Sequence, residues 1–327
     1  DNVSVKEYLG QEVVPDSGCG SWLWEPQSTN LITQSELLNL SLNNKVDTTI
    51  TDNFGVSPSG QLNSSRIQFA DATSFCYGVI SISTTHTASV YVKGTSGETI
   101  RFGIGGNVTT GDLFTFNGLW QRIEYTTASA TQIFFSSYGG ATATDFEAFG
   151  LQFEEQSYAT SYIPTSGSTV TRNQDLCTNG GSLASINSTE GVLYAEIKLD
   201  LLTSNMYIQI SDNSYNNRVA IINNNSSNSW RVFYRVNGIS QFDATATGLN
   251  VFQTNKIAIS WKLNEFKLFV NGTKIIEDNS GIVNPLNTFN RIDFSDINNT
   301  NPFFGKTKAV AVWKEALSDA ELTELTT

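Results

Sequence analysis

Short apolar runs separated by turn residues recur along most of the chain. From Arg66 to Phe153 they read RIQFA, YGVISIS, ASVYVKG, TIRFGIGG, LFTFNGLWQRIEYTT, TQIFFSSYGG and FEAFGLQFE. Within them Val90 and Val92 share one face, and Trp120, Arg122 and Glu124 alternate against Gln121, Ile123 and Tyr125. Alternation of period two marks half-buried strands, and many short strands at close spacing build a sandwich. YIPTSGSTVTRNQD then brings Pro164, Gly167 and a run of hydroxyls, the composition of a linker. The second half repeats the pattern in VLYAEIKLDL, MYIQISD, RVAIINN, SWRVFYRVNG, NKIAISWKLN, EFKLFVNGTKII, RIDFSD and KTKAVAVWKE. Asn271-Gly272 lies between two of these runs, and both residue types tolerate positive φ, so a hairpin is predicted there. Ser318 followed by Glu321 is a capping box that opens a short C-terminal helix, with Leu322 and Leu325 on its apolar side. The opening DNVSVKEY alternates like a strand; it either closes an upstream module or pairs with a later strand at a sheet edge.

Composition sharpens this picture. A chain of 327 residues accommodates two domains, and with 39% hydrophobic but only 15% charged residues it has little of the Lys and Glu that cover helix surfaces. Asn, Ser and Thr fill the polar positions and favour turns and strand surfaces, so an all-β protein is expected. Nineteen basic against 31 acidic residues leave a formal charge of -12 with no basic cluster to neutralise phosphates, which argues against nucleic acid as a partner. No run approaches the length of a membrane-spanning helix, so no membrane insertion is expected, and the first residues lack the regions of a secretion signal. Cys19, Cys76 and Cys177 are too dispersed for a zinc or redox motif and allow one disulfide at most. The single histidine, His86, is expected in a loop or at the surface.

Several segments resemble known families. CGSWLWEPQSTNLITQSE (Cys19 to Glu36) resembles the segment preceding a carbohydrate-binding-module-like jelly roll in bacteriophage tail and virion-associated proteins. ASVYVKG, GLWQRIEYT and GLQFEEQSYATSYIPTSGSTVTR are similar to parts of that jelly roll. NKIAISWKLNEFKLFVNGTKI with FFGKTKAVAVWKEALSDAEL is similar to a laminin-G-like, concanavalin-A-like sandwich, although no cysteine follows Cys177 where such domains often carry a disulfide. The resemblance implies two tandem β-sandwiches, a jelly roll and then a concanavalin-A/laminin-G-like domain with a short C-terminal helix. Expected boundaries are a leading strand and linker over 1–26, the end of an upstream domain in one reading, a jelly roll over 27–165, a linker over 166–178 and the second sandwich over 179–327.

It further implies a tail or fibre protein, assembled in the bacterial cytoplasm and carried on the virion beside other virion proteins, that attaches to host-surface polysaccharide; that it is non-catalytic is expected from the missing E-x-D-x-x-E carboxylate pattern of one hydrolase family on this fold. A homo-oligomer such as a trimer is compatible with that role, though no heptad repeat requires it. An accessory region of a secreted polysaccharide-degrading enzyme, or an architectural spacer, is the alternative. The fold hosts lectins, spacers and enzymes alike, so the residues must decide.

In SWRVFYRVNG, Trp230, Val232 and Tyr234 share one face and Arg231, Phe233 and Arg235 the other. Whichever is outward offers aromatics or an arginine pair to a glycan, so Trp230, Tyr234, Arg231 and Arg235 are the candidate binding residues. Trp120, Trp261 and Trp313 are expected in the core. Calcium is the cofactor the resemblance implies, and Asp212, Asn213, Asp243, Asp293 and Asp296 are its candidate ligands. Adjacent Glu154 and Glu155 point to opposite faces of an extended chain, which suits a structural joint and not an acid pair. Glu196 and Asp200 share a face but lie roughly 13 Å apart along a strand, too far for a glycosidase pair.

Overall fold

The computed structural model describes residues 13–16, 19–202 and 205–327. Two tandem β-sandwiches make up the protein, with antiparallel sheets throughout. The segment DNVSVKEY lies outside the described residues.

The chain begins with a hairpin of β1 (Val13–Asp16) and β2 (Cys19–Trp24). Residues 27–173 then form one compact unit, and the described residues before 27 join those after 173 in the other.

The first unit contains β3 (Ser28–Asn30), α1 (Leu38–Ser41), β4 (Asn44–Val46), β5 (Thr48–Thr51), β6 (Ser65–Phe69), β7 (Phe75–Ile82) and β8 (His86–Gly94). It continues through β9 (Thr99–Gly105), β10 (Asp112–Thr115), β11 (Gln121–Thr127), β12 (Ala130–Ser136), β13 (Asp145–Glu154) and β14 (Val170–Arg172). Two five-stranded sheets, β10-β9-β12-β7-β4 and β11-β8-β13-β6-β5, build the sandwich. Their inward alternate positions, including Val90, Val92, Phe102, Ile104, Ile133 and Phe146, form its core.

The stretch 166–178 is not a plain linker. Its β14 pairs antiparallel with β3 in the register Val170↔Asn30, and Gln34 bridges to Ser166. Backbone pairing captures this hydroxyl-rich segment, which burial patterns alone do not mark.

The second unit contains β15 (Gly191–Leu199), β16 (Asn205–Ser211), β17 (Arg218–Asn224), β18 (Ser229–Val236) and β19 (Ile239–Thr247). It ends with β20 (Asn255–Lys262), β21 (Glu265–Val270), β22 (Thr273–Asp278), β23 (Arg291–Asp293), β24 (Gly305–Trp313) and α2 (Asp319–Thr326). One sheet runs β1-β2-β24-β15-β20-β21-β22 and the other β19-β18-β17-β16-β23. The hairpin before residue 26, expected as a leading linker, is therefore an edge of this sandwich, with Trp22 opposite Thr307 and Trp24 opposite Gly305. The Trp24 indole donates to Thr307 Oγ1 at 3.1 Å and stacks on Phe294 at 4.6 Å.

Local signals appear where the sequence places them. Asn271 and Gly272 have φ of 49° and 78° and close the β21–β22 hairpin, with both central residues in the left-handed region as a type I′ turn requires. Ser318 caps α2 reciprocally with Glu321, and Leu322 is buried. Among the described residues no helix is long and apolar enough to cross a membrane.

Candidate functional site

The joint at Glu154 shows what the acidic residues of the first sandwich do. Glu154 is 0% exposed. Its carboxylate accepts from Ser28 Oγ at 2.5 Å, Gln152 Nε2 at 2.6 Å, the Thr160 backbone N–H at 3.0 Å and the Thr160 hydroxyl. It thus fastens the strand end to both the entering and the leaving chain. Glu155 is exposed and accepts from Thr84 Oγ1 at 2.9 Å.

Two expectations about rings are corrected here. His86 is buried at 5% exposure, stacked on Phe153 at 4.9 Å, because β8 and β13 are paired neighbours that bring the rings together. Trp120 is half-exposed just before β11, its indole donating to the Val56 carbonyl at 3.2 Å.

The outer face of β10-β9-β12-β7-β4 carries a groove of ≈ 530 Å³. Its floor follows from strand alternation: Phe75 and Tyr77 on β7 and Gln132 on β12 point away from the core that Cys76 and Ile133 enter. The Phe75 and Tyr77 rings lie 6.1 Å apart with an interplanar angle of 31°. One wall is the 106–111 loop folded back over the sheet, held by Ser136 Oγ donating to the Val108 carbonyl at 2.7 Å and by Arg101 donating to the Gly111 carbonyl. The loop needs glycine beneath it: a Cβ at Gly103 would meet Gly111 Cα at 2.5 Å, and one at Gly105 would clash with Thr110 Oγ1. Gly105→Val is expected to lift the loop, cost about 2 kcal/mol through overpacking and open the wall. Urea unfolding and solvent protection of residues 106–111 would check it; an unshifted midpoint would refute the packing account. The opposite wall is Asn43 to Val46.

In the second sandwich the sequence-predicted residues divide by face. Trp230 is 1% and Tyr234 0% exposed, both inside the main core, so neither can stack on a sugar. The inward face of β18 had to be the more apolar one, and Trp230, Val232 and Tyr234 carry fewer charges than the alternate set. Tyr234 still satisfies its hydroxyl, which donates to the Ser188 carbonyl at 2.8 Å and accepts from the Asn284 N–H at 2.9 Å. Trp261 is core as expected, and Trp313 is partly buried beside Tyr194.

Arg231 and Arg235 lie on the outer face, flanking the buried ring of Phe233 at 5.6 and 4.9 Å. Strand register arranges this face in rows. One runs Ser211, Arg218, Arg235, Ser240; the next Asp293, Gln209, Ala220, Phe233, Asp243; the third Tyr207, Ile222, Arg231, Thr245. Arg231 pairs with Asp243 across strands and Arg291 with Asp293 along β23. Arg218 and Arg235 stand directly opposite each other. Sequence reading missed Arg218, because only the β17–β18 register reveals the opposition.

The expected calcium ligands do not converge. Asp243 is committed to Arg231. Asp293 takes Arg291 and the Asn179 N–H, at 2.7 Å for the latter. Asp296 accepts from the Thr300 N–H and hydroxyl and from Asn301, each at 2.7 Å, and from Tyr215 at 3.2 Å. Burial alone would raise the Asp296 pKa, but these hydrogen bonds hold it below its ordinary value. Asp212 accepts from the Ser214 N–H and Asn217, and Asn213 is an exposed turn residue at φ 67°. Among the described residues no three His, Cys, Asp or Glu groups gather as metal ligands. The set does not fit a calcium ion as one group of ligands, since its members do not gather and each carboxylate is engaged by its own neighbours.

No family model matches the chain, and no curated protein matches it. Among solved structures it is similar to the carbohydrate-binding module (CBM40) of the Ruminococcus gnavus IT-sialidase bound to α2,3-sialyllactose, at 15% identity and TM-score 0.38, over 43% of this chain and 84% of that one. The heptameric SAP-like pentraxin of Limulus polyphemus matches at 14% and 0.38, over 46% and 74%. Domain 4 of a Geobacillus stearothermophilus GH43 arabinanase, in complex with arabinotriose, matches at 13% and 0.35, over 49% and 73%. These are partial likenesses at low identity.

Proposed function

We propose that this is a non-catalytic glycan-binding protein whose first sandwich holds a saccharide in the groove over Phe75 and Tyr77. The observation that carries this reading is an open groove with two adjacent, partly exposed rings on its floor and amide side chains around them. Flat aromatic faces receive the apolar C–H face of a sugar, and amides bond its hydroxyls. The Gln132 amide has no protein partner among the described residues and faces this groove. Acidic residues elsewhere are occupied in ways that suit a binding scaffold: Glu196 pairs with Lys308, Asp200 with Lys198, and Glu154 is buried in its network.

What supports a virion setting is the resemblance of Cys19 to Glu36. In that reading the chain is a tail or fibre component of a virion, and many copies convert weak glycan contacts into firm host attachment. Mass spectrometry of purified particles tests the setting; absence of the chain from them would favour an accessory region of a secreted polysaccharide-degrading enzyme.

Tyr77→Ala is expected to weaken retention on host-surface polysaccharide about tenfold, the loss of one stacked ring at about 1.4 kcal/mol, with stability within about 1 kcal/mol of wild type. Affinity electrophoresis beside thermal unfolding separates the two. Unchanged retention by a folded Tyr77→Ala protein would remove the groove from consideration, and no retention by wild type would leave the spacer reading.

A further inference from the structure

Arg218 and Arg235 form a charge arrangement that the fold alone does not explain. They face each other on adjacent antiparallel strands, where like charges directly opposite are destabilising. Arg218 is only 4% exposed; its Nη1 makes one long hydrogen bond to Gln209 Oε1 at 3.3 Å, and its Nε is buried with no hydrogen-bond partner among the described residues. Among the described residues no carboxylate pairs with either guanidinium. The nearby carboxylates serve other arginines, Asp243 holding Arg231 and Asp293 holding Arg291. Asp296 acts on Arg218 through its field, while its oxygens accept from Tyr215, Thr300 and Asn301.

Aromatic rings hold Arg218 in place. Its guanidinium carbon lies 4.8 Å from the centroids of both Tyr215 and Phe233 and 5.8 Å from that of Tyr207, and Arg235 covers the Phe233 ring at 4.9 Å. Ring quadrupoles attract a cation but offer no acceptor for its N–H groups. Burial and the charge of Arg235 lower the Arg218 pKa, yet a guanidinium stays protonated at any ordinary pH. Two cations at directly opposed strand positions, Arg218 nearly buried and short of acceptors, therefore share this face, with Tyr215, 40% exposed, beside Arg218.

We infer that Arg218 and Arg235 together bind the oxyanion of an acidic saccharide, with the sugar ring lying against Tyr215. A bound carboxylate or sulfate supplies the acceptors and the negative charge that this pair lacks, and the planar fork of each arginine suits either group. This site is on the second sandwich and is independent of the groove on the first: it selects for charge, whereas the groove selects for a ring face.

The test titrates the full chain by calorimetry with an oligogalacturonate, its fully methyl-esterified counterpart, a sulfated oligosaccharide and inorganic phosphate, at constant ionic strength. Binding of the carboxylated or the sulfated oligosaccharide at least tenfold tighter than the neutral ester is expected, and which of the two binds identifies the anion. Phosphate binding without either saccharide, equal binding of ester and acid, or no binding at all would overturn the proposal. Arg235→Met keeps the stem against Phe233 and is expected to abolish discrimination between acid and ester. Arg218→Met provides a second readout: a binding residue held unpaired should give a variant at least as thermally stable as wild type without ligand, yet unable to gain stability from the acidic saccharide. Loss of stability in Arg218→Met together with unaltered anion binding in Arg235→Met would show the pair to be structural.

Discussion

Glu154→Ala should destabilise the first sandwich by about 4 kcal/mol, because it removes four hydrogen bonds at about 1 kcal/mol each and strands buried donors. Glu154→Gln keeps the volume but turns an amide N–H₂ toward groups that are themselves donors, the Gln152 amide and the Thr160 N–H, so roughly half of that loss remains. The damage should be local. Hydrogen exchange followed by mass spectrometry is expected to show faster exchange in residues 28–30 and 152–163, with the second sandwich unchanged. Exchange rates like those of wild type would mean that the network is incidental and that apolar contacts such as Ile163 hold the segment alone. Against a typical domain stability of about 5–15 kcal/mol, a change of this size brings the first sandwich near its unfolding threshold at growth temperature.

The second large effect concerns Trp230. Trp230→Ala is expected to cost the second sandwich about 4 kcal/mol, the usual range for emptying a fully buried indole site. It should leave retention on polysaccharide intact while the protein remains folded. Trp230→Phe is the informative companion. The indole N–H is buried without an acceptor among the described residues, so phenylalanine removes an unsatisfied donor while giving up part of the ring's volume, and the net change should stay within about 1 kcal/mol. Denaturant midpoints for both variants, read beside polysaccharide retention, check this. A stable Trp230→Ala protein that had lost its glycan would return the ring to the surface and overturn the assignment of faces.

These outcomes also mark how far the residues could be read from sequence alone. Alternation located the strands, and the Asn271-Gly272 turn and the Ser318–Glu321 capping box were legible because each is decided within a few residues. Alternation also grouped Trp230 with Tyr234 and Arg231 with Arg235. It could not say which group faced inward, since that depends on the sheet packed against it. The pairing of Arg218 with Arg235 needs the β17–β18 register, and the groove needs the 106–111 loop to return over its own sheet. His86 was misplaced because its burial comes from Phe153, a residue far along the chain. Calcium came from the resemblance, and the aspartates it pointed to serve as hydrogen-bond hubs and ion-pair partners in this chain.

The pairing of β2 with β24 carries a consequence for biosynthesis. Trp24 finds its indole acceptor on Thr307, 283 residues later, and every residue of the first sandwich is translated in between. A ribosome therefore delivers residues 27–173 complete while the hairpin of β1 and β2 still waits for a neighbour. The first sandwich is contiguous and can fold during synthesis, whereas the second closes its sheet only after β24 has emerged. Until then the β2 edge is an open template for stray strands, so the nascent chain passes through an interval of vulnerability to misassembly that the finished protein no longer has.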